Sequence, residues 1–228
     1  LPLLQSANVE ASLADGRLDV PRFDVGVGHG HVSGKASVDV AAKPGRGEAE
    51  VDVAAVRIES LLGAKALRSR LSGVLHGHAA LKASGATLDA LLASAAGNVS
   101  AFVANGTISS LLDAKMGLQG GRVLKSLLTG AEPIALRCAA AVLDVARGEA
   151  RIRTLVVDTE RTRTIGSGTI DLAHGTLDVL LTPEAKQPGL FVLERSIRLR
   201  GALREPSHEL VARVAPASTA RACRPDRP

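Results

Sequence analysis

The stretch GSGTIDLAHGTLDVLLTP, residues 166–183, places Asp171 and Asp178 on either side of His174 within eight positions. Two carboxylates around an imidazole could share acid/base work or hold a cation. That chemistry needs unlike surroundings that drive the two carboxyl pKa values apart, inside a concave, water-poor pocket. A second candidate is the pair of triplets His29-Gly30-His31 and His76-Gly77-His78. Histidines at i and i+2 on a strand point to one side and could ligate Zn or Cu. There is no P-loop, no nucleophile elbow, no HExxH and no paired CxxC.

The elements that would position these groups argue against chemistry. A tight turn at His174-Gly175 predicts Leu172 opposite Leu177, Asp171 opposite Asp178 and Ile170 opposite Val179. The apolar residues then share one face and the carboxylates lie on the wet one. Similar alternation runs through GEAEVDVAAVRI and RSIRLRGAL, as strands with one apolar face require.

Residues 16–40 overlay residues 148–172 without a gap: Gly16 on Gly148, Phe23 on Leu155, Gly34 on Gly166, Asp39 on Asp171. Both copies step by three, from Val20 to Phe23 and from Ile152 to Leu155, which predicts a bulge or corner in each. In the first copy, Asp39 is expected to face Asp52, with Val38 opposite Val53 and Val40 opposite Val51. Acidic residues recurring in a structural repeat describe a solvated face, and the Asp171–His174–Asp178 cluster reads as a hairpin. His29 and His31 overlay Arg161 and Arg163, so the triplets read as solvated strand ends and no metal site is assigned.

The expected fold is mainly β, an antiparallel meander forming a curved sheet or open groove from two pseudo-repeats with two or three short helices. The division is a β-rich body over 1–212 (repeats 1–58 and 134–212, connector 59–133) and a disordered basic tail over 213–228. One helix is predicted in SGATLDALLASAAGN, with Thr87 as N-cap and Gly97 ending it. A second is predicted in GRVLKSLLTG and a third turn around IESLLGAKAL.

Composition narrows the partners. Apolar residues make up 46% and aromatics only 1%, namely Phe23, Phe102 and Phe191. Stacking platforms for nucleic acid are therefore missing. The net charge of +5 belongs largely to the tail, where four Arg oppose one Asp, so it says little about an anionic partner. Cys138 and Cys223 read as two unpaired thiols; a disulfide between them would require an oxidising compartment. No apolar run is long enough to span a bilayer as a helix.

LKASGATLDALLASAAGNVSAFVANGTISSLLDAKMGL resembles a segment of the AsmA-like envelope proteins, where a strand and Gly lead into a short Leu-rich helix, then a strand. GEARIRTLVVDTERTRTIGSGTIDLAHGTLDVLLTPEAK resembles the family's C-terminal module, and RLRGALREPSHEL its closing strand. The likeness is strongest over 75–212. It implies a Gram-negative periplasmic location, attachment to the inner membrane through an N-terminal helix outside this chain, and a part in outer-membrane assembly. It also implies a β groove like that of bridge-like lipid-transfer proteins, with no catalytic residues and no cofactor.

The residues and the resemblance meet in one expectation. Strands with an apolar face and few helices to cover it leave a surface for lipid, with phospholipid or another envelope lipid as partner and an envelope protein as a further one. The expected lining is Val20, Phe23, Val25, Val38, Val40, Val51 and Val53 in the first copy. In the second it is Ile152, Leu155, Val157, Ile170, Leu172, Leu177, Val179 and Leu181. The alternatives are a closed-core scaffold for outer-membrane protein assembly, and a hydrolase or metal protein built on the His and Asp clusters.

Overall fold

The computed structural model describes residues 4–61, 71–109, 133–186 and 195–215. Twelve strands follow one another in a single antiparallel sheet whose spatial order is their chain order. They are β1 (Leu4–Ala14), β2 (Arg17–Val27), β3 (Gly30–Asp39), β4 (Arg46–Arg57), β5 (Leu71–Ser84) and β6 (Ala96–Ser109). The second half holds β7 (Pro133–Ala146), β8 (Glu149–Thr159), β9 (Thr162–Asp171), β10 (Thr176–Ala185), β11 (Arg195–Ala202) and β12 (Ser207–Ala212). The sheet is open: among the described residues β1 pairs only with β2, and β12 only with β11. Among the described residues the helices are α1 (Ile58–Leu61) and α2 (Leu88–Ser94). No helix among them is long and apolar enough to cross a membrane.

Local chemistry explains the meander. Three of its reversals are two-residue turns with positive φ at both positions: Asp15-Gly16 at 51° and 75°, Gly28-His29 at 59° and 64°, and Arg147-Gly148 at 50° and 74°. This is the type I′ geometry whose twist matches the flanking strands. Gly16 and Gly148, aligned in the sequence, occupy the same turn position. The carbonyl of Gly16 accepts from Val40 N–H at 3.0 Å, and that of Gly148 from Leu172 N–H at 2.8 Å. Further bonds, Gly85 N–H to Gly45 O, Gly148 N–H to Ala95 O and Leu203 N–H to Gly175 O, stitch successive turns along that end of the sheet.

The shared irregularity is present in both copies. The β2–β3 register shifts between Val20 and Phe23. The β7–β8 register shifts so that Thr154 faces Val142 while Ile152 faces Leu143. In each copy the bulky residue after the shift lies over a glycine. A Cβ on Gly34 would sit 2.9 Å from Phe23 Cζ, and one on Gly166 would sit 2.4 Å from Leu155 Cδ2. Only glycine leaves that space.

Several expectations are corrected. Asp171 faces Thr176 and Asp178 faces Thr169, because a four-residue turn replaces the tight one. Asp171 makes that turn by accepting the His174 N–H at 2.9 Å. Likewise Asp39 faces Arg46, and Asp52 faces Ser33; Asp39 Oδ1 caps its loop by accepting from Ala41 and Ala42 N–H. Each register moved by an even number of residues, so the assignment of faces survives.

Thr87 does cap α2, accepting from Ala90 N–H at 3.2 Å, but the helix ends at Ala95 and Gly97 lies within β6. The helix expected in GRVLKSLLTG lies outside the described residues, as do most of the tail and the end of IESLLGAKAL beyond Leu61. Cys138 is buried and disulfide-bonded rather than a free thiol; Cys223 lies outside the described residues.

Candidate functional site

Antiparallel partners point to the same side of a sheet, so the registers sort the side chains into two faces. One row runs without a break through ten strands, from Val20 on β2 through Ala36, Ala49, Leu81, Gly97, Val145, Ala150, Ile170 and Leu177 to Gly201 on β11. It contains no side-chain polar atom. Nine strand spacings make it about 43 Å long, more than the roughly 30 Å hydrocarbon thickness of a bilayer. Half its members are Gly or Ala. The adjoining row begins Phe23, Gly34, Val51, Ala79, Val99, Leu143 and Ile152, and its larger side chains stand beside the lower row.

Thirteen of the fifteen expected lining residues share this face: Val20, Phe23, Val25, Val38, Val51, Val53, Ile152, Leu155, Val157, Ile170, Leu177, Val179 and Leu181. Most are half-buried. Val40 and Leu172 are not strand residues. Val40 is 72% exposed in the β3–β4 loop, and Leu172, in the β9–β10 turn, packs on a small core of Ala95, Val145 and Ala150 at the foot of α2.

The middle of the same face, Ala79, Leu81, Val99, Leu143 and Val145 on β5 to β7, was missing from the sequence reading. The signal was there as alternation in HAALKAS and NVSAFVA, muted because small residues alternate weakly.

The opposite face is polar and largely paired over β2 to β5 and at the Asp178 end of β10 and β11. Over β7 to β9 it carries buried apolar residues, Ala140, Val156 and Ile165. Arg17 meets Asp19 at 2.7 Å, Lys35 meets Glu50 at 2.8 Å and Lys82 meets Glu48 at 3.8 Å. Arg198 and Arg200 both bind Asp178, at 2.7 and 3.2 Å. The Arg198 hydrogen bond, helped by Arg200, draws the Asp178 carboxyl down to about 2. Asp171 is also lowered, first by the backbone N–H of His174 and then by its ring. The two carboxylates therefore serve an Arg pair and a turn, and do not form one site. A cavity of about 810 Å³ crosses β2 to β6 and is bordered by Arg17, Asp19, Lys35, Glu48, Glu50 and Lys82 of this polar face. Its lining also includes Val20, Ala36, Ala49, Leu81 and Gly97, the first five members of the apolar row, though of the fifteen candidates only Val20 borders it.

His29 and His31 separate, whereas His76 and His78 stay two apart on one face of β5. His29 occupies a turn, His31 Nδ1 lies 3.3 Å from Asp24, and His78 Nδ1 lies 2.8 Å from Asp52. Among the described residues, the one group of three donors able to surround a cation is Glu50, Asp52 and His78.

Among the described residues, fold and site define an open antiparallel sheet with one apolar face and an opposite face that is ion-paired in its first half and partly buried in its second. A model of the AsmA family matches residues 2–155, and the chain belongs to that family. The match favours the N-terminal part, where the sequence likeness had been weaker. The chain is 28% identical over 201 residues to the AsmA family protein YhjG of Escherichia coli (strain K12). That alignment covers 88% of this chain but 29% of the relative. No solved structure matches.

Proposed function

We propose that the chain is a non-enzymatic periplasmic module of a longer AsmA-family protein, binding or conducting phospholipid acyl chains along its apolar face for outer-membrane biogenesis. In this reading the longer polypeptide is attached to the inner membrane. The observation that carries the proposal is the unbroken ten-residue apolar row, over which no second sheet lies among the described residues. Val145 and Ala150 within the row are buried in the small core at the foot of α2, and the rest is mostly half-buried. An apolar surface left only partly covered is a binding surface or an aggregation hazard. Each CH₂ withdrawn from water contributes about 0.8 kcal/mol, so hydrocarbon chains can be held without a specific polar contact. Small aliphatic side chains leave room that aromatic rings would fill. The disulfide at Cys138 is in keeping with an oxidising compartment.

Native mass spectrometry of gently purified protein tests this reading. Co-purified phospholipid is expected, along with uptake of a fluorescent acyl-chain probe; empty protein that ignores the probe contradicts it.

A second reading, a scaffold for outer-membrane protein assembly, is favoured by β1. All eleven of its residues are exposed and, among the described residues, its outer edge carries no partner strand, a template for strand addition. Crosslinking to an envelope protein with no lipid bound supports that reading over the first.

A further inference from the structure

We infer that Glu50, Asp52 and His78 form a divalent-cation site on the polar face, of the class that takes zinc or manganese. Their ligand atoms lie within 4.8 Å of one another. The backbone sets this arrangement: Glu50 and Asp52 are two apart on β4, and His78 is the direct cross-strand partner of Asp52 on β5. A metal with bonds of about 2.0–2.2 Å to nitrogen and carboxylate oxygen needs neighbouring ligand atoms about 3 Å apart. Asp52 Oδ1 and His78 Nδ1 stand at 2.8 Å. One imidazole and two carboxylates suit borderline-hard divalent ions and leave the remaining positions to water.

The second copy shows that the fold does not require these residues. Gly34 pairs with Val51 and Val51 with Ala79; Gly166 pairs with Leu181 and Leu181 with Ile197. Asp52 and His78 therefore correspond to Thr182 and Ser196, a buried hydroxyl pair 3.1 Å apart, and Glu50 corresponds to Leu180. Charge at the first site is unbalanced as well. Asp52 and nearby Asp24 each meet a histidine and, among the described residues, neither has a Lys or Arg ion-pair partner. Glu50 borders the open cavity, which gives a hydrated ion access, and its present partner is Lys35. An arriving cation must displace that ammonium.

Zinc titration of the untagged full chain by calorimetry, with circular dichroism to confirm folding, tests the site. His78→Ala and Asp52→Asn are each expected to weaken binding about tenfold or more, while His29→Ala leaves it unchanged. Lys35→Ala, by freeing Glu50, is expected to tighten it. Unaltered binding in both His78→Ala and Asp52→Asn overturns the inference, as does the absence of binding by the parent chain at about 1 mM zinc. Because Asp52 and Lys35 are exposed, their variants keep the test decisive should His78→Ala fail to fold.

Discussion

The four strands β2–β5 and the four strands β8–β11 are two renderings of one design. Both open at a turn that ends in glycine, both bulge before a bulky side chain seated on a glycine, and both close their loop with an aspartate cap. Even an ion pair recurs: Glu48 with Lys82 in the first, Asp178 with Arg200 in the second. Their apolar faces match position by position, whereas their polar faces part company. Asp24, Ser33, Asp52 and His78 lie where the second copy has Val156, Ile165, Thr182 and Ser196. Val156 is 0% exposed and Ser196 0%, against 57% for the Asp52 side chain. The conserved geometry is therefore that of the backbone and the apolar face. The opposite face was free to become core in one half and charged surface in the other.

Substitutions at matched positions sharpen this comparison. The largest difference is expected at the glycines. A Cβ on Gly34 would lie 2.1 Å from the backbone oxygen of Glu50, while the close contacts at Gly166 are all with the flexible Leu155 side chain. Gly34→Ala should cost about 3 kcal/mol and Gly166→Ala about 1 kcal/mol, as read by urea denaturation. Equal costs break the claim that the copies differ in how tightly β3 and β9 are held.

A smaller effect is expected at the cross-strand pair. Ser196→Ala removes a buried partner of the Thr182 hydroxyl, which keeps its bond to Val214 O, and the acceptor of Val214 N–H. It should cost about 1–2 kcal/mol. Asp52→Asn, at an exposed pair, should cost less than about 0.5 kcal/mol. The reverse order would mean that the charged pair is structural.

The smallest concerns pH. Asp178 titrates near 2 in the folded chain, below the roughly 3.9 of an unperturbed Asp. Its contribution is therefore complete above about 4 and is lost as pH falls toward about 2. Because the side chain is 43% exposed, solvent screening holds that contribution below about 1 kcal/mol. The stability deficit of Asp178→Asn at neutral pH should thus shrink on acidification through this window; a deficit independent of pH contradicts the assignment.

The sequence carried the parity of the strands and the bulges well, because both follow from alternation and its one visible slip. Register was harder. The turns after Asp39 and Asp171 are set by side-chain caps, and a carboxylate can cap a two-residue or a longer loop with equal ease. Every facing pair in those hairpins was therefore displaced while the faces stayed correct. The central strands β5 to β7 were hidden for another reason. Ala79, Ala101 and Ala141 occupy inward positions, and alanine contrasts too little with its neighbours to mark a face. The Glu50–Asp52–His78 group could not be found by spacing alone, since it depends on β4–β5 register; the His-Gly-His triplet pointed to the right strand but the wrong partner.

The most direct test of the central claim places a photo-reactive amino acid at Leu81 or Ile170 on the apolar row, and at the adjacent polar-face positions Lys82 and Thr169, in separate samples. Illumination in the presence of phospholipid should yield lipid adducts at Leu81 and Ile170 and none at Lys82 or Thr169. Adducts at both faces alike, or at neither, would contradict the assignment of the apolar face as the lipid surface.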